Sequence, residues 1–323
     1  MLFLTNRYPV EDFKNPKLKN FTFNLDDVDP SQIIFFCKKN SATKYSLLEW
    51  SDFFRELKNS SYKSLLFFIH GYSNTPEEIF EQTIKLQKLC DLKKDKEVLV
   101  VPFIWPCDND PGKIKDYYDD QVAADRSATS LVNALNDFLK WGKTDENQDI
   151  PCLKRINILA HSMGNRVLRQ ALFEWQKYYQ RQGVPLVSRN TFLVAADIEN
   201  ESLEIGKQGQ HISDFSRNVV VYFSADDLAL RGSKVANLAN GLASRRLGHT
   251  GPENIEKCKK NVFSIDCDNI NNYDYDTTKK INKKDLMGHN YLVEEAFFNH
   301  MFSCIITGRV EVDNLVDRTF ILK

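Results

Sequence analysis

Residues 155–167 read RINILAHSMGNRV, and the fold is read outward from them. The strand-like run INILAH leads straight into Ser162, and the helix-like run NRVLRQALFEWQ begins three residues after that serine. Ala160 and Gly164 stand two residues to either side of it. A serine on a sharp strand-to-helix turn has strained backbone angles, and its flanks approach closely, so side chains there must be tiny or absent. The pattern is a nucleophile elbow with Ala in place of the first Gly, a departure of one methyl group. Such a turn exposes the hydroxyl and aims the N-terminus of the next helix at it, which favours developing negative charge. Small-x-Ser-x-Gly alone also fits an ordinary tight turn. The apolar strand before it and the amphipathic helix after it argue for the functional reading.

The same alternation repeats outward from the elbow. Strands are expected over Leu2–Thr5, Ile33–Cys37, Leu65–His70, Val98–Ile104, Arg155–His161, Thr191–Ala195 and Val219–Ser224. SLLFFIH, VLVVPFIW and NVVVYFS have no polar face to give to solvent, so their sheet must be covered on both sides. Helices are expected over Pro76–Leu92, with Thr75 as N-cap and Pro76 at the first position, and over Tyr117–Trp141, Gly164–Gln180 and Tyr291–Phe302. Strand and helix in alternation, with buried strands, give an α/β fold with a mostly parallel sheet and helices on both faces. We expect a single domain over 1–323, with an N-terminal extension and first strands in 1–60. Residues 245–286, rich in Asn, Asp and Lys, read as a loop-rich insertion.

Lys and Arg number 43 against 44 Asp and Glu, and a net charge of −1 argues against a nucleic-acid partner. The 42% of hydrophobic residues suits a folded chain rather than a disordered one. No apolar run approaches the roughly 20 residues that span a bilayer. The start, MLFLTNRYPV, lacks the basic lead and apolar core of a signal peptide. The seven cysteines are scattered, odd in number and without a CxxC, so we expect reduced thiols and a cytoplasmic protein. No Cys/His cluster has zinc-ligand spacing and no GxxxxGK[ST] loop is present, so neither metal nor cofactor is expected. The sequence is silent on oligomeric state.

An activated serine needs a base and an orienting acid, which follow an elbow in the chain order Ser, Asp or Glu, His. Asp226 and Asp227 come directly after the buried strand NVVVYFS. Asp227 is favoured, with Asp226 as its exposed neighbour and Asp197, after TFLVAA, as runner-up. The bland alternative is that Asp226 and Asp227 are turn or N-cap acids. Among the later histidines His289, in DLMGHNYL, lies on a loop at a helix start and is the favoured base. His249, in RLGHTGP, competes with it, and His300 falls inside the helix. The oxyanion needs two backbone N–H groups. Met163 follows the nucleophile, and Tyr72 follows Gly71 in SLLFFIHGYSNT, where Gly71 lets the chain turn towards the serine. His70 is read as shaping that loop without titrating, and His161 as pointing away from the serine. Trp105 stands at a strand end as a pocket or core residue. Arg126 is expected to pair with an acid.

Together these stretches resemble the α/β-hydrolase superfamily, and more narrowly a bacterial branch of esterase/lipase-like proteins known mainly as a conserved domain of unknown function. Thr5-Asn6-Arg7, FFIHGYSNT, VPFIWP, DRSATSL, LAHSMGNRVL, AADIEN, YFSADDLAL, RLGHTGP and MGHNYL carry the resemblance in that order. It implies a Ser162–Asp227–His289 triad on a predominantly parallel sheet and adds little on substrate; the serine chemistry itself points to a small-molecule acyl ester or thioester. Ala160 and the Asn/Lys-rich stretch before His289 depart from the pattern. Acyl transfer with the same triad, and a non-catalytic interaction module on the same fold, stay open as alternatives.

Overall fold

The computed structural model describes residues 1–11, 19–25, 29–42, 44–107, 113–227, 229–230, 245–271, 288–313, 316 and 318–323. Its elements are β1 (Leu2–Thr5), β2 (Lys19–Phe21), β3 (Phe35–Lys39), β4 (Tyr45–Leu48), α1 (Trp50–Asn59), β5 (Ser64–Ile69), α2 (Pro76–Lys93), β6 (Val98–Ile104), α3 (Lys113–Gly142), α4 (Asp145–Asp149), β7 (Arg155–His161), α5 (Gly164–Glu174), β8 (Ser188–Val194), α6 (Gln210–Phe215), β9 (Ser216–Phe223), α7 (Leu247–Thr250), β10 (Val262–Asp266), α8 (Glu295–Thr307) and β11 (Thr319–Ile321). Among the described residues eleven strands form one sheet, ordered β11-β10-β9-β8-β7-β5-β6-β1-β3-β4-β2. From β11 to β1 neighbours run parallel, and β3, β4 and β2 extend the sheet antiparallel. This is the mostly parallel sheet expected from the apolar strands.

The strands send alternate residues to opposite faces, and both faces are covered. Along β5, Leu65 and Ile69 enter one core with helices α1, α3, α5 and α6, while Leu66 and Phe68 enter the other with α2 and α8. Burying each such side chain stabilises the fold by about 1.5–3 kcal/mol. α2 starts where expected. Thr75 Oγ1 accepts from Glu78 N while the Glu78 carboxylate accepts from Thr75 N, and Pro76 follows the cap. α5 continues as a π-helical turn over Trp175–Tyr179.

Three buried asparagines tie the sheet to α8. Asn157, Asn190 and Asn218 lie in register on β7, β8 and β9. Asn190 Nδ2 donates to Asn157 Oδ1 at 2.8 Å, and Asn218 Nδ2 to Asn190 Oδ1 at 2.8 Å. The same two amides donate to Cys304 O and Gly308 O, carbonyls at the C-terminal end of α8.

Two stretches differ from the expected elements. Of residues 245–286, the part 245–271 holds α7, a 3₁₀ turn at Ile255–Lys257 and β10, which pairs in parallel with β9. VFSID has little periodicity of its own and is recruited by its neighbour. The rest, 272–286, lies outside the described residues. The expected helix at Tyr291 begins instead at Glu295. Tyr291 is used otherwise: its hydroxyl donates to Tyr222 O at 3.0 Å and accepts from Ala195 N at 3.1 Å.

Candidate active site

The strand order places a switch point here. From adjacent β5 and β7 the chain continues to β6 on one side and to β8 on the other, through α2 and α5 on opposite faces, the place where ligand sites of open α/β sheets lie. Ser162 stands directly after β7 with φ +52°, the left-handed region that a serine adopts only when held there. The hold is visible. Ser162 N donates to Val194 O at 2.9 Å, and Ser162 O accepts from Asn165 N at 3.1 Å, Asp197 N at 3.2 Å and Asn165 Nδ2 at 3.0 Å. Gly164 is small because α5 abuts the end of β5: a Cβ there would lie 2.5 Å from Ile69 O and from His70 O. The nearest approach is thus to the end of β5, and Ala160 is itself fully buried.

The structure brings Ser162, His289 and Asp227 together. His289 Nε2 lies 2.8 Å from Ser162 Oγ, and Nδ1 lies 2.6 Å from Asp227 Oδ2. A carboxylate only accepts, so Nδ1 carries the proton and Nε2 is left to accept from the serine hydroxyl. The Asp227 side chain is fully buried, and its other oxygen accepts from Leu230 N at 3.0 Å. The His289 side chain keeps 13% exposure, so the imidazole is not sealed from solvent. Burial pushes the imidazole down, but the Asp227 charge and hydrogen bond more than offset it, and His289 sits above the usual imidazole value.

The alternatives lie elsewhere. Asp226 is exposed. The Asp197 carboxylate is buried against Arg246, 3.2 Å from Nε, and accepts from Tyr117 Oη at 2.9 Å. His249 lies in α7. His300 sits in α8 with Nδ1 2.7 Å from Tyr222 Oη. Arg126 pairs with Asp29 at 2.6 Å.

Gly71 passes directly over the elbow: a Cβ there would be 2.9 Å from Ser162 Cβ. His70 is buried and braces this loop. Trp105 N can only donate, so His70 Nε2 accepts at 3.1 Å and Nδ1–H donates to Gly71 O at 2.7 Å. Burial lowers His70 to about 4, which keeps the ring neutral. Trp105 is fully buried, stacks on His70 with ring centroids 5.1 Å apart, and donates from Nε1 to His70 O at 2.9 Å. Its contact with the site therefore runs through His70. Asn74 Nδ2 donates to Gly71 O at 3.2 Å and Tyr72 O at 2.7 Å. With the Gly71 carbonyl aimed at His70 and Asn74, the planar trans peptide turns the Tyr72 N–H to the opposite side. Met163 precedes the first turn of α5, and among the described residues no acceptor takes its N–H.

Sequence reasoning missed the residues that bind these loops to one another. His161 Nε2–H donates to the His289 carbonyl at 3.2 Å, and its ring lies 5.0 Å from that of His289. Burial, then the nearby His289, lowers it to about 3. Asp268 and Asn271, after β10, hold the loops carrying Asp227 and His289. Nothing in their spacing marks these residues, because they come from an irregular segment. Among the described residues no group of His, Cys, Asp or Glu could hold a metal ion, and no helix is long and apolar enough to cross a membrane.

A family model described as "Alpha/beta hydrolase of unknown function (DUF900)" matches residues 48–303, and the chain belongs to that family. Ser162, Asp227 and His289 all fall within the match. No curated protein matches the chain. Among solved structures, phospholipase PlaB from Legionella pneumophila in complex with thio-NAD is similar at 13% identity and TM-score 0.27, over 63% of this chain. This chain spans only 37% of that phospholipase. A lipase-esterase related protein from Clostridium acetobutylicum ATCC 824 is similar at 10% identity and TM-score 0.28, over 65% of this chain and 86% of that one. Superpositions that loose carry none of the argument below.

Proposed function

We propose that this α/β-hydrolase family member is a serine hydrolase that cleaves a carboxylic ester or thioester through an acyl-enzyme on Ser162. The observation that carries the reading is the pair of contacts at His289, 2.8 Å to a strained serine hydroxyl and 2.6 Å to a buried carboxylate. His289 takes the Ser162 proton as the serine oxygen attacks the acyl carbon, and gives it to the departing alkoxide or thiolate. Water, deprotonated by the same imidazole, then releases the acid and restores the serine. Asp227 fixes the tautomer and stabilises the imidazolium. The Met163 and Tyr72 N–H groups receive the tetrahedral oxyanion, Met163 from the N-terminus of α5 and Tyr72 from the braced loop after β5.

Hydrolysis of p-nitrophenyl esters, from acetate to a long acyl chain, tests this beside Ser162→Ala, with a fluorophosphonate as covalent probe. Activity and labelling that both vanish in Ser162→Ala are expected. A wild-type protein inert to every ester and to the probe would overturn the reading.

A further inference from the structure

The loop after β10 reaches across the site to the two loops that carry Asp227 and His289. Cys267 N donates to Phe223 O, continuing the ladder with β9, and the chain then turns tightly, with Ile270 N and Asn271 N both donating to Cys267 O. This turn delivers two side chains. Asp268 Oδ1 accepts from Ser224 Oγ at 2.9 Å and Ala225 N at 2.6 Å. Asn271 Nδ2 donates to Ser224 Oγ at 2.8 Å and to Gly288 O at 2.6 Å. Ser224 is fully buried, and its hydroxyl also accepts from Asp226 N at 3.2 Å, so its one donor and both lone pairs are engaged. Gly288 has φ +57°, and a Cβ there would lie 2.9 Å from Asp226 O and 3.2 Å from Asn271 Nδ2. The two loops therefore touch, and one amide fastens both.

We infer that Asn271 is a positioning residue that clasps the loop of the base to the loop of the acid. Its two bonds fix Gly288, directly before His289, against Ser224, three residues before Asp227. Residues 272–287 lie outside the described residues. The clasp between Asn271 and Gly288 sets where the His289 loop begins. The inference rests on the proposed role of Ser162, Asp227 and His289, but it predicts a geometry that can be measured without catalysis.

The test compares the full-length wild type with Asn271→Ala and Asn271→Asp. The second keeps the shape and removes the donor. Asp268→Asn serves as a further variant should both fail to fold. The first readout is the low-field NMR resonance of the His289 Nδ1–H shared with Asp227. It is expected to shift upfield or vanish by exchange in the variants. The second is ester hydrolysis: kcat falls about 10–100-fold with KM little changed, the scale of a small misplacement of reacting groups. The third is the acid limb of the pH profile. The groups facing His289 are Asp227, Asp197 and His161, and Asp227 is the charge the clasp holds close. Loosening it lets the limb move to lower pH. A merely structural Asn271 would lower the unfolding midpoint while leaving resonance and limb in place, and that result would overturn the inference. A wild type that shows the resonance but neither hydrolyses esters nor labels would remove the hydrolase reading and leave the clasp standing.

Discussion

Gly164→Ala offers the sharpest test of how the elbow is built. The added Cβ would lie 2.5 Å from two oxygens, those of Ile69 and His70. Both are main-chain atoms at the end of β5, and β5 is paired on both sides, so neither can swing aside as a side-chain tip would. Regaining ordinary contact near 3.4 Å requires α5 and β5 to part by about 1 Å. Overpacking by one methyl costs about 1–3 kcal/mol, and the upper end is expected where two fixed atoms are struck at once. The same displacement carries Ser162 away from His289 Nε2, and a 1 Å error in a reacting pair costs about 100-fold in rate. Urea unfolding and p-nitrophenyl ester kinetics read the two effects separately. Gly142→Ala is the matched control: it sits at the end of α3 with nothing within 4 Å of its Cβ position. That variant should be neutral or stabilised by up to about 1 kcal/mol. A Gly164→Ala protein with wild-type unfolding midpoint and kcat would refute the claim that α5 and β5 are in hard contact at this point.

Asp227→Asn should lower kcat by about 10⁴-fold, because an amide in place of the carboxylate no longer enforces the Nδ1–H tautomer; ester kinetics check it, and a retained rate would dismiss Asp227. In the wild type, kcat/KM should rise with pH through the His289 pKa. Burial alone would place that limb below the usual imidazole range, whereas the Asp227 charge places it above, and the limb should fall in residual-activity measurements on Asp227→Asn. His70 ties stability to pH in the opposite sense from a paired histidine. Burial holds it near 4 in the folded state, so its contribution is full above the unfolded value and is lost as pH falls towards the folded one. The displacement corresponds to roughly 3 kcal/mol, and urea midpoints between pH 7 and 4 should flatten in His70→Gln. Asn190→Ala should cost about 1–3 kcal/mol in urea unfolding, because it removes the donor to buried Asn157 Oδ1 and Cys304 O; an unchanged midpoint would show the asparagine row to be idle.

The parallel core of the sheet was legible because its strands are apolar on both faces, and that needs no knowledge of their partners. β1, β6 and β7 match their expected bounds. Elements whose identity depends on a neighbour were not legible. VFSID of β10 and TFI of β11 are strands through pairing, and both flank segments rich in charge. The residues now gathered at the site were each nominated from chain order and from what precedes them. Their distances were not, since a separation of 127 residues between Ser162 and His289 holds no metric information. His161 shows the limit most clearly. Its place beside the serine suggested a ring turned away into the surroundings, and those surroundings prove to be the His289 loop, a contact 128 residues distant in the chain.

The short motifs around the serine have a common cause in main chain packed on main chain. Two non-glycine residues at adjacent strand ends, Ser162 and Ala195, have positive φ, +52° and +46°. Each such residue costs about 1–3 kcal/mol and persists only where the surroundings impose it. They impose it mutually. Asp197 N, two residues past Ala195, donates to Ser162 O, and Ser162 N donates to Val194 O, immediately before Ala195. Ala195 N is shared between Tyr222 O and Tyr291 Oη. Gly248 closes the arrangement from above, with a would-be Cβ only 2.1 Å from Ala196 N. AADIEN and RLGHTGP are therefore small-residue motifs for the same reason as AHSMG: any larger side chain would wedge the backbones apart. Residues outside the elbow thus hold the serine in its strained pose, and enlarging Ala196 or Gly248 should relax Ser162 as surely as changing the elbow itself.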